Sequence, residues 1–297
     1  MIGFICINKS QGITSFLAAN KMRRIASVKK AGHTGTLDPM ATGVLPVMLG
    51  GATKFADYIP VSGKAYIADI LLGVITDTYD VTGEVLSRKE VNVTDEEFKA
   101  AVDYFTGEIQ QVPPMYSAIS QNGVRLYQLA RKGIEVDREK RTVTVYSAEI
   151  LGKKEENVYT VAFSCSAGTY IRSLAFDIGE KLGCGACLQR LERTYSNGFS
   201  IEDSITLEEA AALAQEGRLE EKVISVEKVL EAYPEITVSD AQAKRFRNGG
   251  ALALVRIKEF SGSGIFRVYS PEKEFLGLGK TNEETGELDI AKLYIEA

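Results

Sequence analysis

The chain has 297 residues, 45% of them apolar and 25% charged, with 35 lysines and arginines against 40 aspartates and glutamates for a net charge of −5. That balance excludes a disordered chain, and the length leaves room for one large domain with a small appendage. No apolar run approaches the ~18 residues of a membrane span, and the opening MIGFICINKSQG lacks the start and cleavage site of a signal peptide, so a cytoplasmic protein with no membrane partner is expected.

The charge is unevenly placed. Up to Lys64 the chain carries Lys9, Lys21, Arg23, Arg24, Lys29, Lys30, Lys54 and Lys64 against only Asp38 and Asp57, while acid concentrates from Glu202 to Glu231. A basic face would suit a polyanionic partner, although a solvated surface is the commoner meaning of any one cluster. Cys6, Cys165, Cys184 and Cys187 are expected to be reduced. One CxxC with a single histidine in the chain supplies too few ligands for a structural zinc site.

Phe4 to Asn8 reads as a first strand. Thr14 or Ser15 caps a helix with Ala18, Met22 and Ile25 on one face. From Lys29 to Lys54 the sequence KKAGHTGTLDPMATGVLPVMLGGATK reads as a glycine-bounded loop followed by a buried apolar run from Val44 to Leu49. Asp38 precedes Pro39 and is pushed out of the α region, a restricted pose that suits a pre-positioned reactive carboxylate. The same residues also fit a helix N-cap with Pro39 at the first helical position.

Lys64 begins a strand that carries Tyr66, and VITDTYDVTGE reads as a turn through Asp77, Asp80 and Gly83 rather than a metal loop. Thr94 and Glu97 form a capping box for a helix of Phe98, Ala101, Val102 and Phe105. Residues 112–141 hold two prolines, Gly123, Gly133, Tyr116, Tyr127 and the cations Arg125, Arg131, Lys132, Arg138, Lys140 and Arg141. A basic, aromatic-bearing insertion reads as a mobile clamp for nucleic acid. Two strands, Thr142 to Leu151 and Asn157 to Cys165, lead to a helix with Ile171, Leu174, Ala175, Ile178 and Leu182 on one face and Gly183 as its stop. Arg172 sits at its start, where a surface salt bridge is the plain alternative to a site residue. Acidic helices follow, one opening on the box of Thr206 and Glu209. Beyond Pro234 the runs LALVRI, GIFRVYS and EFLGLG suggest a compact, strand-rich tail.

GHTGTLDPMATGVLPV followed by GGATK resembles the signature of the TruB-type tRNA pseudouridine synthases. KAY at Lys64, GTYIRSL at Gly168 and LERTYSNGF at Leu191 resemble further motifs of that family, as do Lys9, Gly12 and Thr14; Ser10 stands where the family usually has proline. The resemblance implies an α+β catalytic domain around a mixed, mainly antiparallel sheet over 1–232, with 112–141 as an RNA-gripping thumb and a small β-rich PUA-like domain over 233–297. It implies isomerisation of uridine to pseudouridine at position 55 in the tRNA T-loop, without metal, cofactor or guide RNA, by a monomer. Asp38, Arg172 and Tyr66 become catalytic. His33, Tyr170, Leu191, Lys9, Arg131 and Lys132 become substrate-binding. A tRNA-binding or folding factor with secondary or lost catalysis, and a guide-RNA-dependent relative, are the rival readings.

Overall fold

The alternation at the N-terminus becomes strand β1 (Gly3–Lys9), buried along nearly all its length because both of its faces are covered. In this computed structural model, which describes residues 1–121, 123–258 and 260–295, Asn122 of the basic insertion and Glu259, Glu296 and Ala297 of the tail lie outside the described residues. Helix α1 (Ser15–Ile25) opens on Thr14, whose hydroxyl accepts the Leu17 N–H. Among the described residues no helix is long and apolar enough to cross a membrane.

Strand β2 (Ala31–His33) then pairs antiparallel with β3 (Thr42–Leu49), His33 opposite Val47. The stretch read as a loop is therefore a short strand as far as His33, filling part of the edge of β3. After Asp38 the chain makes the single short turn that the N-cap reading implies, closed by the Ala41 N–H on the Asp38 carbonyl. After β4 (Lys64–Leu72), strands β5 (Val74–Thr76) and β6 (Val85–Arg88) flank the predicted DTYDVTG turn as a hairpin. The Thr94 and Glu97 box opens α2 (Asp95–Tyr104) as its sequence requires.

Strand β7 (Gly107–Gln111) leads into the basic insertion, which folds as a small hairpin of β8 (Ser120–Gln121) and β9 (Val124–Arg125) with the short helix α3 (Leu126–Ala130). The two predicted strands appear as β10 (Arg141–Glu155) and β11 (Val158–Cys165), and α4 (Ile171–Leu182) ends on Gly183 in the left-handed conformation. A strand unforeseen in the sequence, β12 (Ala186–Ser196), begins within the CxxC, so that Cys187 but not Cys184 lies on it, and pairs with β13 (Phe199–Ser200) at its end.

These strands form a nine-stranded sheet with the path β1-β3-β12-β4-β11-β10-β7. Every pairing is antiparallel except the meeting of β12 with β3, parallel over two residue pairs. The expected mixed, mainly antiparallel sheet is thus what forms. Gly43 makes that parallel crossing possible. Its φ is +99° and a Cβ there would lie 2.2 Å from the Arg193 carbonyl oxygen. On one face, Ile5, Leu45, Ala68, Ile70 and Val161 bury against Met22 of α1, Phe98 of α2 and Leu174 of α4.

The opposite face is covered by the tail. After α5 (Leu207–Gln215) and α6 (Val226–Val229) come β14 (Glu235–Thr237), α7 (Asp240–Arg247), β15 (Leu252–Ala253), β16 (Ile265–Tyr269), β17 (Phe275–Asn282) and β18 (Glu287–Leu293). The five strands form a second sheet, ordered β14-β16-β17-β18-β15. Phe4, Cys6, Val44 and Met48 share a core with Phe55, Tyr269, Phe275 and Leu278, each buried ring contributing about 1.5–3 kcal/mol. The strand expected over LALVRI shortens to Leu252 and Ala253. Leu254–Arg256 turn as a 3-10 helix instead, which leaves Val255 93% exposed while Leu252 and Ile257 on either side stay buried.

Candidate active site

The loop between β2 and β3 is tied down from three sides around Asp38. The Ser15 hydroxyl both donates to the Leu37 carbonyl at 2.9 Å and accepts the Leu37 N–H at 2.8 Å. The Gly12 N–H donates to the Pro39 carbonyl at 2.7 Å. From below, the fully buried Arg193 donates Nε–H to the Val44 carbonyl at 2.8 Å and Nη2–H to the Gly35 carbonyl at 3.1 Å. A carboxylate on a loop held this way has its direction set before any ligand arrives.

Asp38 meets Arg172. The Arg172 Nε lies 2.9 Å from Asp38 Oδ2 and 3.8 Å from Asp80 Oδ2. Its Nη1 donates to the Thr78 carbonyl at 3.0 Å and its Nη2 to the Tyr116 carbonyl at 2.8 Å. Arg172 lies in the first turn of α4, where the helix dipole disfavours a cation, and the two carboxylates and two carbonyls offset that. The start of α4 is anchored by Gln111, whose Oε1 accepts the Tyr170 N–H at 2.8 Å while its Nε2 donates to the Tyr170 carbonyl at 3.0 Å. Asp80 Oδ1 accepts from the Thr82 N–H at 2.9 Å, so the sequence reading of a turn holds, yet its other oxygen faces Arg172.

Exposure separates the two carboxylates. The Asp38 side chain keeps 35% of its surface open, whereas Arg172 and Asp80 each keep 5%. Although one side of Asp38 faces the opening, it sits deep among protein atoms. Burial pushes its pKa above the usual aspartate value; Arg172 opposes the rise and Asp80 adds to it.

Tyr66 on β4 stands opposite Arg193 on β12 and is 6% exposed. Burial pushes its phenol up to about 12, and a hydrogen bond with Arg193 works against that rise. Leu191, two residues before Arg193, is 6% exposed and shares a core cluster with Tyr66 and Leu37. His33 is half-buried, with Nδ1 sealed and unpaired among the described residues; burial and then Arg193 lower its pKa. Tyr170 is half-buried at the cap of α4, where burial raises its phenol pKa and Arg172 and Asp38 both act on it.

Lys9 requires a correction. It was expected to bind substrate, but it is fully buried, and its Nζ donates to the carbonyls of Ser10 and Ile13, each at 2.9 Å. It has no surface to offer a ligand. Burial lowers its pKa to about 8, resisted by the charge of Asp38. Arg131 and Lys132 are exposed in the turn after α3, outside the Asp38 cluster, with the Arg131 guanidinium 5.5 Å from the Tyr127 ring centre.

Two residues of the cluster escaped the sequence reading. Asp80 is hidden inside ordinary turn chemistry. Arg193 left a signal, since it follows Leu191 at the strand period of two and so places a cation on a buried face.

An aspartate on a braced loop is thus paired with a buried arginine, beside a buried tyrosine on a mixed sheet. Family models match the chain over most of its length: TruB family pseudouridylate synthase (N terminal domain) at 23–171, tRNA pseudouridylate synthase B C-terminal domain at 172–232, and Pseudouridine synthase II TruB, C-terminal at 234–288. The chain is 46% identical to a tRNA pseudouridine synthase B of Clostridium perfringens over the full length of both, and 42% identical to one of Dehalococcoides mccartyi over 99% of this chain and 97% of that one. Among solved structures it is similar to a chain of a Cbf5-Nop10-Gar1 complex, with TM-score 0.73 and 28% identity over 99% of this chain and 85% of that one. A chain of an H/ACA RNP bound to a substrate RNA containing 2'-deoxyuridine aligns with TM-score 0.71 and 26% identity over the same shares. The chain belongs to the TruB family of pseudouridylate synthases.

Proposed function

We propose that this enzyme isomerises uridine to pseudouridine in tRNA, at position 55 of the T-loop, acting as a monomer without guide RNA, metal or cofactor. The observation that carries this reading is the pairing of the half-open Asp38 with the buried Arg172. The reaction breaks the bond between C1′ and the uracil N1, turns the base and rejoins it through C5. It needs one ionised carboxylate, to attack C1′ or to take the C2′ proton, and a site that excludes water.

Arg172 favours the charged form of Asp38 against burial. Tyr66 offers a ring to replace the stacking that the uridine loses when it leaves the RNA. Arg193, a donor only, is the register partner of Tyr66 and acts on its hydroxyl. The phenol holds its own proton, so Tyr66 could take the one at C5 only by releasing its own as it does so. His33, Tyr170 and Leu191 line the route of the base. In this reading residues 1–232 carry catalysis, with 112–141, bearing Arg131 and Lys132, as the thumb on the T-arm, and 233–297 form a PUA-like RNA-binding module.

The test is Asp38→Asn on an unmodified tRNA transcript, scoring binding and pseudouridine formation separately. The expected result is retained binding with no conversion. Conversion at the wild-type rate would remove Asp38 from the chemistry, and a wild-type protein that binds without converting would favour the folding-factor reading.

A further inference from the structure

The cations of the site are not equally matched by acid. Arg172 has Asp38 and Asp80. Arg193 is fully buried, and its recorded partners are the carbonyls of Gly35, Thr36 and Val44 and the Tyr66 hydroxyl, with no carboxylate among them.

Lys64 lies beside it. A Cβ placed on Gly35 would be 3.1 Å from Lys64 Nζ and 3.6 Å from Arg193 Nη1, so both cations stand within 3.6 Å of one point at the root of the catalytic loop. Lys64 and Tyr66 alternate along β4 onto the same face, and Arg193 is the register partner of Tyr66. Among the described residues Lys64 Nζ makes no hydrogen bond or ion pair, and the side chain is only half-buried. Two like charges held together without a counter-charge are costly unless an anion joins them. Burial first, and Arg193 second, lower the Lys64 pKa to about 8. Gly35, at φ +76°, adds no side chain to fill the space beside them.

We propose that Lys64 Nζ, backed by Arg193, binds a phosphodiester flanking the target uridine. The inference rests on the RNA-modifying reading above, because the anion of an RNA substrate is its phosphate. A nucleotide whose C1′ meets Asp38 carries its two phosphates on the same ribose. Anchoring one of them at the base of the loop would fix the sugar against Asp38 while the base is free to turn, as the isomerisation requires.

The experiment uses a T-arm stem-loop RNA carrying a neutral methylphosphonate on the 5′ or, separately, the 3′ side of the target uridine. Its binding is measured with wild type, Lys64→Met and Lys64→Arg, each checked for a cooperative thermal melt. At one of the two positions the neutral link weakens wild-type binding about tenfold, the loss of one charge-assisted contact. Lys64→Met binds the all-phosphate RNA more weakly by a similar factor and is indifferent to the same methylphosphonate. Lys64→Arg keeps the wild-type sensitivity, and the salt slope of Lys64→Met falls by about 0.7.

A Lys64→Met protein that binds as wild type does, or still loses affinity with the methylphosphonate, overturns the proposal. Should Lys64→Met fail to fold, Lys64→Arg and the position-specific wild-type loss decide it, and no loss at either position overturns it. Conversion of the all-phosphate RNA by wild type is scored alongside, so that failure of the enzymatic reading shows as no pseudouridine in any arm and brings this proposal down with it.

Discussion

Arg172 Nε lies 2.9 Å from Asp38 Oδ2, while both other nitrogens of the guanidinium are committed to the carbonyls of Thr78 and Tyr116. The arginine is therefore fixed by backbone on the far side from its carboxylate, and cannot follow a substrate out of the cleft. Thr78 belongs to the β5–β6 hairpin and Tyr116 to the basic insertion, so one side chain joins the reactive loop to both. Of the two carboxylates it touches, only Asp38 retains an open side.

That arrangement sets the acid limb of the activity profile. Asp38 must be ionised, so activity is lost as pH falls through its folded-state pKa, which burial places above the ordinary aspartate value. Asp80 adds to that rise. Asp80→Asn retains an acceptor oxygen for the Thr82 N–H and removes the charge, with an NH2 group in place of the oxygen that faces Arg172. The single-turnover rate of this variant is expected to fall off at lower pH than that of wild type. An acid limb that stays in place or moves upward would show that Asp80 does not act on Asp38 through its charge.

The same raised pKa predicts a stability change. A carboxylate with its folded pKa above its unfolded value favours the folded state most when protonated, and that benefit is lost as pH rises through the folded pKa. At neutral pH the ionised Asp38 is therefore a burden on the fold. Asp38→Asn should abolish turnover yet melt no lower than wild type at neutral pH. A clearly lower melting temperature would mean that the pair with Arg172 outweighs desolvation.

Sequence order and physical environment explain what was legible. The loop could be anticipated because Gly35 permits a positive φ and Pro39 restricts Asp38 before it. Helices α2 and α4 announced themselves through a capping box and an apolar stripe with a terminal glycine. Strand β12 did not. It is central, and the register shifts between Leu188 and Arg190 and between Arg193 and Tyr195 break its alternation. Asp80 was equally hidden, since a turn aspartate shows in sequence only the oxygen it gives to its own turn. Lys9 was misplaced because a lysine one residue beyond a buried run does not show which way its ammonium turns.

The crossing of β3 and β12 gives a test of packing against mere backbone preference. Gly43 and Gly168 have similar φ values, +99° and +90°, but a Cβ on Gly43 would strike the backbone of Arg193 whereas none of the surroundings comes within 4 Å of one on Gly168. Gly168→Ala should cost about 1–2 kcal/mol, the conformational penalty alone. Gly43→Ala should cost at least about 3 kcal/mol in denaturant unfolding, because the strands must part as well. Equal losses for the two variants would mean that the parallel pairing contributes little.

The basic insertion makes a separable prediction about RNA. Arg131 and Lys132 are exposed beyond α3 and form no ion pair among the described residues, so each is available to a phosphate. They lie away from the Asp38 cluster, which a purely electrostatic role on the RNA backbone allows. Replacing both with alanine should leave turnover at saturating RNA close to wild type while raising the RNA concentration needed to reach it. Each lost phosphate contact should reduce the salt slope of binding by about 0.7, so the double variant should show up to about twice that change. A slope equal to the wild-type value would place these two cations off the RNA path, and a fall in saturated turnover with unchanged affinity would place them in the chemistry instead.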